Sequence, residues 1–515
     1  MNKKIIYSLW VFGLLLLTLE ILLPALNKNL WYDDLDLLLI GRAERLNDGV
    51  IDDAHAYPLH PLVINGEGKN DLFQIGWVTV NSWIDALEMP HGLWRTINVI
   101  FFVSALALYS FFRLKGLWLL APLLLAFFSE FVFRSAGMVR NYNLSCLLFV
   151  GCLLLLQSSK RKYFWICLVA LWQINLLTFI CFAFLHFTHL ITQYRQKNTT
   201  LKKLVPLVIF YVAIAVFQYT FNYRLFNNSH NNDLIPVFSS TANRLQIISL
   251  TFNNFVIPLI LVLPLMLWKR DKVSPHFRYL LLFLLVLAPL TFPNFRAVYL
   301  IAFTPVLFVE FVKHFSHWPK IWSLPVMGIV ILSTCLSYPF NQLINYKAPD
   351  HFYDQSYVGE EIVRRTPSRA LFESQHRKWT EIDAVCHYIR SHKKEGDHIL
   401  YEVSRDSIMA HLAWKDNMPT TALFPAENNY HKNFPNSLLS KARLPFWAVT
   451  PFIPGDNRTQ LQLKEECLKN LKDYGQVTVH MIPKRTHNWI KSADYPPAEI
   501  AGPSDYIVYY VDSIK

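Results

Sequence analysis

One pattern limits what this chain can fold into: apolar stretches, most of them near bilayer-crossing length, recur from residue 5 to residue 340, and basic residues cluster in the gaps between them. Inside hydrocarbon a backbone must satisfy its own N–H and C=O groups, which favours helices of ~20 apolar residues. The stretches fall at roughly 5–26, 93–112, 116–133, 141–157, 163–179, 180–194, 203–222, 247–268, 278–292, 297–313 and 321–340. Only 17% of the 515 residues are charged, where a soluble globule averages roughly a quarter. The expected fold is a polytopic α-helical membrane protein with about eleven transmembrane helices, interfacial helices in its first outer loop and a C-terminal soluble α/β domain. The transmembrane domain should cover 1–340, with its first outer loop at 27–92, and the soluble domain 341–515.

A net charge of +12 would suit a nucleic-acid binder if it lay on a soluble face, but it does not. Residues 1–340 hold 27 basic and 16 acidic side chains, while residues 341–515 hold 22 and 21. The excess lies between spans, where it sets topology, and nucleic acid is excluded as a partner. With the N-terminus inside, one side collects Lys3 and Lys4, Arg113 and Lys115, Lys160 to Lys162, Arg195 to Lys203, Lys269 to Arg278, and Lys313 with Lys320. Reading 163–194 as one helix would throw Lys197, Lys202 and Lys203 to the other side, so two crossings are expected there. The odd total puts the C-terminal domain outside. Met1–Leu26 has a basic start and a long apolar core without a small-residue cleavage site, the pattern of an uncleaved first span.

The outer side is unlike the inner one. The loop 27–92 carries eleven acids against four basic residues, and short outer connections carry isolated arginines: Arg134, Arg140, Arg224, Arg244 and Arg296. Beyond residue 341 the chain becomes charged and proline-rich. Residues 380–394 and 460–473 have helical periodicity, and 398–404, 446–451, 476–482 and 506–511 read as strands, which predicts a small domain with a mainly parallel sheet. Five cysteines (Cys146, Cys152, Cys167, Cys181, Cys335) lie in apolar segments as small packed groups, while Cys386 and Cys467 in the tail could pair in an oxidising compartment. The tail has no glycine-rich phosphate loop, metal-spaced Cys/His cluster or nucleophile elbow.

Several residues could carry chemistry, each against a plainer explanation. In Trp31-Tyr32-Asp33-Asp34-Leu35-Asp36, just after the first span, carboxylates at headgroup depth are expensive unless solvated, paired or used. They suit a solvated helix start, or one of them can accept a proton or hold a cation. Tyr57-Pro58-Leu59-His60-Pro61 takes an extended path in which His60 can bind phosphate, bind metal or do neither. Residues 72–88 read as an interfacial helix with Trp77 and Trp83 at the boundary. Arg140, in Arg140-Asn141-Tyr142, can anchor to lipid or neutralise the phosphate of a lipid-linked substrate; Arg296 fits the same role less specifically. Glu130 and Arg134, four residues apart, suit a local ion pair. His186 and His189 lie near an inner span end, a poor place for a metal, and neither Asn143-Leu-Ser nor Asn198-Thr-Thr is placed to accept a glycan.

Taken in order on one side of the membrane, these features resemble the GT-C superfamily of integral-membrane glycosyltransferases, which includes protein O-mannosyltransferases and bacterial lipid A aminoarabinose transferases. The resemblance rests on the acidic pair Asp33-Asp34 after the first span, Tyr57 and His60-Pro61 in the same loop, Arg140 and Tyr142 opening a span, and Arg296 before the span containing Pro305. The chain departs in having Asp-Asp where the family often has Asp-Glu, and His60-Pro61-Leu62 in place of His-Pro-Pro. The resemblance implies inverting transfer of one sugar from a polyprenyl-phosphate donor to a glycan, lipid or protein acceptor, at the outer face of an inner (plasma) membrane. Asp33 or Asp34 would act as general base; Arg140, Arg296, Tyr142, His60 and Tyr57 would hold the donor phosphate. No cofactor is certain, and a divalent metal ion could use the same acids.

Two other classes share parts of this pattern. A polymerase or ligase of lipid-linked oligosaccharide also has many spans and outer arginines, but commonly has its large outer loop late in the chain. A transporter predicts inverted repeats and helices broken at mid-membrane, and the few intramembrane acids here (Glu20, Glu130, Glu310) lie mostly toward span ends.

Overall fold

A computed structural model describes residues 2–26, 75–87, 89–129, 132, 136–137, 140–156, 161–196, 201–221, 274–284, 297–345, 381–402, 412, 418, 420–423, 444–449, five positions within 465–472, 475–486 and 499–514. Two compact units divide the chain: Met1–Ala25, Asn70–Trp77 and His91–Pro349 form one, and Leu26–Lys69, Val78–Pro90 and Asp350–Lys515 the other.

In the first unit, helices stand in every expected span except 247–268, which lies outside the described residues. They are α1 (Lys3–Leu26), α3 (His91–Arg113), α4 (Ala121–Phe128), α5 (Asn141–Leu156), α6 (Arg161–Ile174), α7 (Leu176–Arg195), α8 (Leu201–Phe221), α9 (Pro275–Leu282), α10 (Thr304–Ser316) and α11 (Lys320–Asn345), with 3₁₀ turns at Gly116–Leu119 and Ala297–Phe303; α2 (Ile75–Ala86), in the stretch read as an interfacial helix, belongs to this unit only as far as Trp77. Among the described residues, four segments are long and apolar enough to cross a membrane: Lys3–Leu23, Gly92–Arg113, Leu176–Arg195 and Tyr299–Ser316. Five others, including Asn141–Leu156 and Lys162–Ile174, are apolar but shorter.

The apolar side chains divide between a core and an outward band. On α1, Ile6, Trp10, Leu17 and Ile21 are buried at helical spacing, while Ile5, Leu9, Phe12, Leu15, Leu16 and Leu19 are exposed. So large an exposed apolar face suits lipid and not water. Inside, Phe149 of α5 meets Phe182 of α7 and Phe303 edge-on, with ring centroids 6.0 and 5.3 Å apart.

Side-chain pairings give the helix directions. Asn143 near the start of α5 bonds to Asn98 near the start of α3. Tyr142 and Phe149 of α5 meet Tyr299 and Phe303 in turn, and Tyr109 and Arg113 at the end of α3 meet Glu310 of α10. These three segments therefore run the same way. Parallel spans must be separated by odd numbers of crossings, a condition met by the one expected between α3 and α5 and the five expected between α5 and Ala297.

The hairpin predicted within 163–194 is present. Trp172 packs on Phe179 and Phe164 on His186, so α6 and α7 fold back antiparallel. The break falls at Asn175, not near 179–180. Asn175 is extended, and its side chain accepts the amide N–H and the hydroxyl of Thr178, capping α7.

In the second unit the described strands are β1 (His398–Glu402), β2 (Thr420–Leu423), β3 (Phe446–Val449), β4 (Gly475–Thr486) and β5 (Glu499–Ile514). They form one sheet in the order β2-β1-β3-β5-β4. The expected mainly parallel sheet is corrected to a mixed one: β1 runs parallel to β2 and β3, while β5 runs antiparallel to β3 and β4. Consecutive strands such as β4 and β5 can pair antiparallel without the long crossover that parallel pairing demands. Leu400, Phe446, Ala448, Leu471, Tyr509 and Val511 make the buried apolar face, and α12 (Glu381–His392) packs on β4 and β5. Cys386 is buried and Cys467 lies outside the described residues.

Candidate functional site

The shared direction of α3, α5 and α10 gives the helical unit two chemically different ends. Basic residues gather at the end where these helices finish: Arg113 closing α3 and Lys115 just beyond it, Lys162 at the start of α6, Arg195 closing α7, and Lys313 with Lys320 around the α10–α11 turn. Tyr7 and Trp10 lie against Phe111, so the start of α1 with Lys3 and Lys4 belongs there too.

That end also contains a buried ion pair. Arg113 donates to Glu310 Oε1 through Nη2 at 2.6 Å and Nε at 2.8 Å, and Tyr109 donates its hydroxyl to the same oxygen at 2.7 Å. Glu310 is thereby bound in a local network and not left lining a transport path. His186 offers Nδ1 to the Tyr211 hydroxyl at 2.8 Å and packs among the rings of Phe164 and Phe182, which makes it a core histidine. Among the described residues no group of three or more His, Cys, Asp or Glu could hold a metal ion.

The opposite end, where α3, α5 and Ala297–Phe303 begin, holds the candidate site. Of the residues singled out by sequence, Arg140 and Tyr142 lie here. Asp33, Asp34, Tyr57, His60 and Arg296 lie outside the described residues, as do Glu130 and Arg134. Arg140 is half-buried just before α5, with its Nε closed off from solvent. Tyr142 is buried against Tyr299, ring centroids 5.5 Å apart at 61°. The Arg140 segment and the segment entering at Ala297, immediately after Arg296, therefore begin at the same end.

Hydrogen bonds fix this corner. The Asn141 side chain donates to the carbonyl of Ile174 at 2.7 Å, holding α5 to the end of α6. Asn143 donates from one side-chain nitrogen to the carbonyls of Asn98 at 3.1 Å and Ala136 at 2.8 Å, joining α3, the connection before α5, and α5. This amide is buried, in keeping with its exclusion as a glycan acceptor. Above it, α2 comes into backbone contact with α6: a Cβ on Gly76 would stand 2.7 Å from the Gln173 carbonyl oxygen. The next residue, Trp77, is buried against Trp94 of α3, ring centroids 5.6 Å apart. The two tryptophans expected at the boundary thus part ways, Trp77 being 1% exposed and Trp83 65%.

Sequence reasoning passed over Arg95 and Asn98. Both are buried in the opening turns of α3, Arg95 at 4% exposure. A charged residue one turn inside an apolar helix was the available signal.

No protein-family model and no curated protein matches the chain. Among solved structures, ArnT from Cupriavidus metallidurans bound to undecaprenyl phosphate superposes with a TM-score of 0.54 at 12% identity, over 98% of this chain and 97% of that one. The same protein in its apo state gives 0.52 over the same shares. At that identity the likeness speaks for architecture: along nearly its whole length the chain has the fold of ArnT.

Proposed function

We propose that this protein is a membrane glycosyltransferase that moves a sugar from a polyprenyl-phosphate donor to an acceptor at the non-cytoplasmic face. The observation that carries the proposal is the near end-to-end likeness to a transferase whose structure holds undecaprenyl phosphate. The asymmetry of the helical unit supports it. Basic residues gather at the end that the positive-inside rule assigns to the cytoplasm, and the Arg140 corner lies at the other. A donor whose tail stays in lipid presents its sugar-phosphate at that depth.

In this reading the acceptor hydroxyl attacks the anomeric carbon with inversion. Asp33 or Asp34 takes the hydroxyl proton, the bond from the anomeric carbon to phosphate oxygen breaks, and polyprenyl phosphate leaves. Arg140 and Arg296, with Tyr142, His60 and Tyr57 nearby in the site, meet the charge that develops on the phosphate. A divalent ion held by the same acids would serve that charge as well. The soluble domain, 341–515, would face the periplasm or cell exterior beside the acceptor, which is a glycan, a lipid or a protein. Glu310 is already engaged by Arg113 and Tyr109, which removes one intramembrane acid from a transport reading.

The test is release of polyprenyl phosphate from a labelled lipid-linked sugar by the purified protein given a membrane extract. Asp33→Asn or Asp34→Asn, with folding verified, should lower the rate by ~10²–10⁴ for the residue that serves as base. Full activity in both variants removes the pair from the mechanism.

A further inference from the structure

Resting on that reading, we infer that Arg95 is a second arginine of the donor-phosphate site, acting beside Arg140 to hold the lipid-linked phosphate.

The two ends of α3 make the case by contrast. Arg113 is the last residue of the helix, where the macrodipole favours a cation, and Glu310 neutralises it at 2.6 Å. Arg95 is the fifth residue, where the dipole disfavours a cation, and it is 4% exposed between Trp94 and Asn98, both also buried. Burying a guanidinium costs several kcal/mol unless anions and hydrogen bonds offset it. Helix stability and lipid packing both argue against a positive charge here.

Arg140 is in the same situation on the next helix. It stands immediately before α5, again at a positive dipole end, half-buried with its Nε closed off. The Asn143–Asn98 hydrogen bond sets the two helices level. Arg95 precedes Asn98 by three residues and Arg140 precedes Asn143 by three, so each arginine backbone lies about 4.5 Å, roughly one turn, above that bond. Two cations at one level of two parallel, neighbouring helix entries make a place for an anion of more than one charge. Each guanidinium presents five donors in a planar fork, the geometry that suits phosphate oxygens. Trp77 and Trp94, packed together on the adjoining turn, add an apolar wall suited to the first isoprene units.

The full-length protein in nanodiscs, wild type and Arg95→Gln, is titrated with undecaprenyl phosphate, with undecaprenol, and with inorganic phosphate as competitor. The expected result is that Arg95→Gln weakens undecaprenyl phosphate binding about tenfold or more and leaves undecaprenol binding unchanged. Arg95→Lys keeps the charge but loses the planar fork; it should bind undecaprenyl phosphate several-fold more weakly than wild type, and it serves if the glutamine variant does not fold. Wild-type affinity for undecaprenyl phosphate in a folded variant, or equal loss for both lipids, overturns the inference. Inorganic phosphate that competes as well as the lipid assigns the arginines to free phosphate and also overturns it. If the wild-type protein itself does not bind undecaprenyl phosphate, the proposed function fails and this inference with it.

Discussion

Arg113 and Glu310, 197 residues apart in sequence, meet at 2.6 Å where α3 and α10 end, and Tyr109 shares the same carboxylate oxygen. The pair holds two parallel helices in register. Glu310→Ala would leave Arg113 and the Tyr109 hydroxyl facing apolar neighbours. Breaking a buried pair costs ~3–5 kcal/mol, and the lower end applies because Arg113 keeps 15% of its side-chain surface exposed. Thermal unfolding in detergent should show a clear fall in midpoint, with Arg113→Met plus Glu310→Leu recovering much of it. A Glu310→Ala protein as stable as wild type would deny the pair this role.

Gly76 sets how closely α2 can approach the bundle. A side chain there would meet the Gln173 carbonyl oxygen at 2.7 Å and the Gln173 Cβ at 2.8 Å, and backbone cannot yield as the end of a flexible side chain can. Gly76→Val should push α2 off α6 and disturb the Trp77–Trp94 contact, at an overpacking cost of about 1–3 kcal/mol. A lowered unfolding midpoint and altered tryptophan fluorescence are expected. Unchanged values would mean that α2 does not need this contact.

What the sequence disclosed follows the range of the forces involved. Span positions and the α6–α7 hairpin were legible because apolar runs and loop charges are local signals; the hairpin keeps Lys197, Lys202 and Lys203 on the side of the other basic loops. Its turn was misplaced because the cap at Asn175 is one polar residue within a long apolar run. Arg113 was legible as a topology signal, but its meeting with Glu310 was not, since nothing local connects residues so distant in sequence. Arg95 was passed over for the same reason: its meaning comes from α5 packed beside it. In the second unit, strands at 476–482 and 506–511 were visible in the sequence. The short β2, Thr420–Leu423, and the antiparallel half of the sheet were not, because four residues carry little periodicity and strand direction is decided by pairing.

Arg140 offers a kinetic test of the proposed site. If it meets charge that grows as the donor bond breaks, Arg140→Gln should lower kcat more than it raises KM, by ~10²-fold or more in kcat/KM. Arg140→Lys should recover part of the loss, because a lysine supplies charge without the bidentate fork. The Tyr142–Tyr299 packing next to it should survive either change, so the unfolding midpoint should move little. A rise in KM alone would instead make Arg140 a ground-state anchor for the lipid phosphate.

His480 on β4 gives the soluble unit a pH dependence whose sign can be derived. Its Nδ1 lies 2.8 Å from the Tyr388 hydroxyl of α12, and its ring packs against Trp447 of β3. Burial and the neighbouring His392, itself stacked on Tyr388, hold the His480 imidazole below the usual histidine range. The unfolded chain then binds a proton more readily than the folded one, so stability rises with pH in the interval between the two values. The His480 contribution is complete above the unfolded value of ~6.5 and is lost as pH falls through that value toward the lower folded one. Asp397, which accepts from Trp447 Nε1 and the Tyr510 hydroxyl, bears on the same corner of the sheet; burial, and then Asp397, push the Tyr510 hydroxyl above its ordinary range. Hydrogen exchange across β4 and α12 in the full-length protein should therefore quicken between pH 7 and pH 5, and His392→Asn should lessen the effect by removing the neighbour that helps lower His480. Exchange that is indifferent to pH over that range would show that protonating His480 does not loosen the α12–β4 seam.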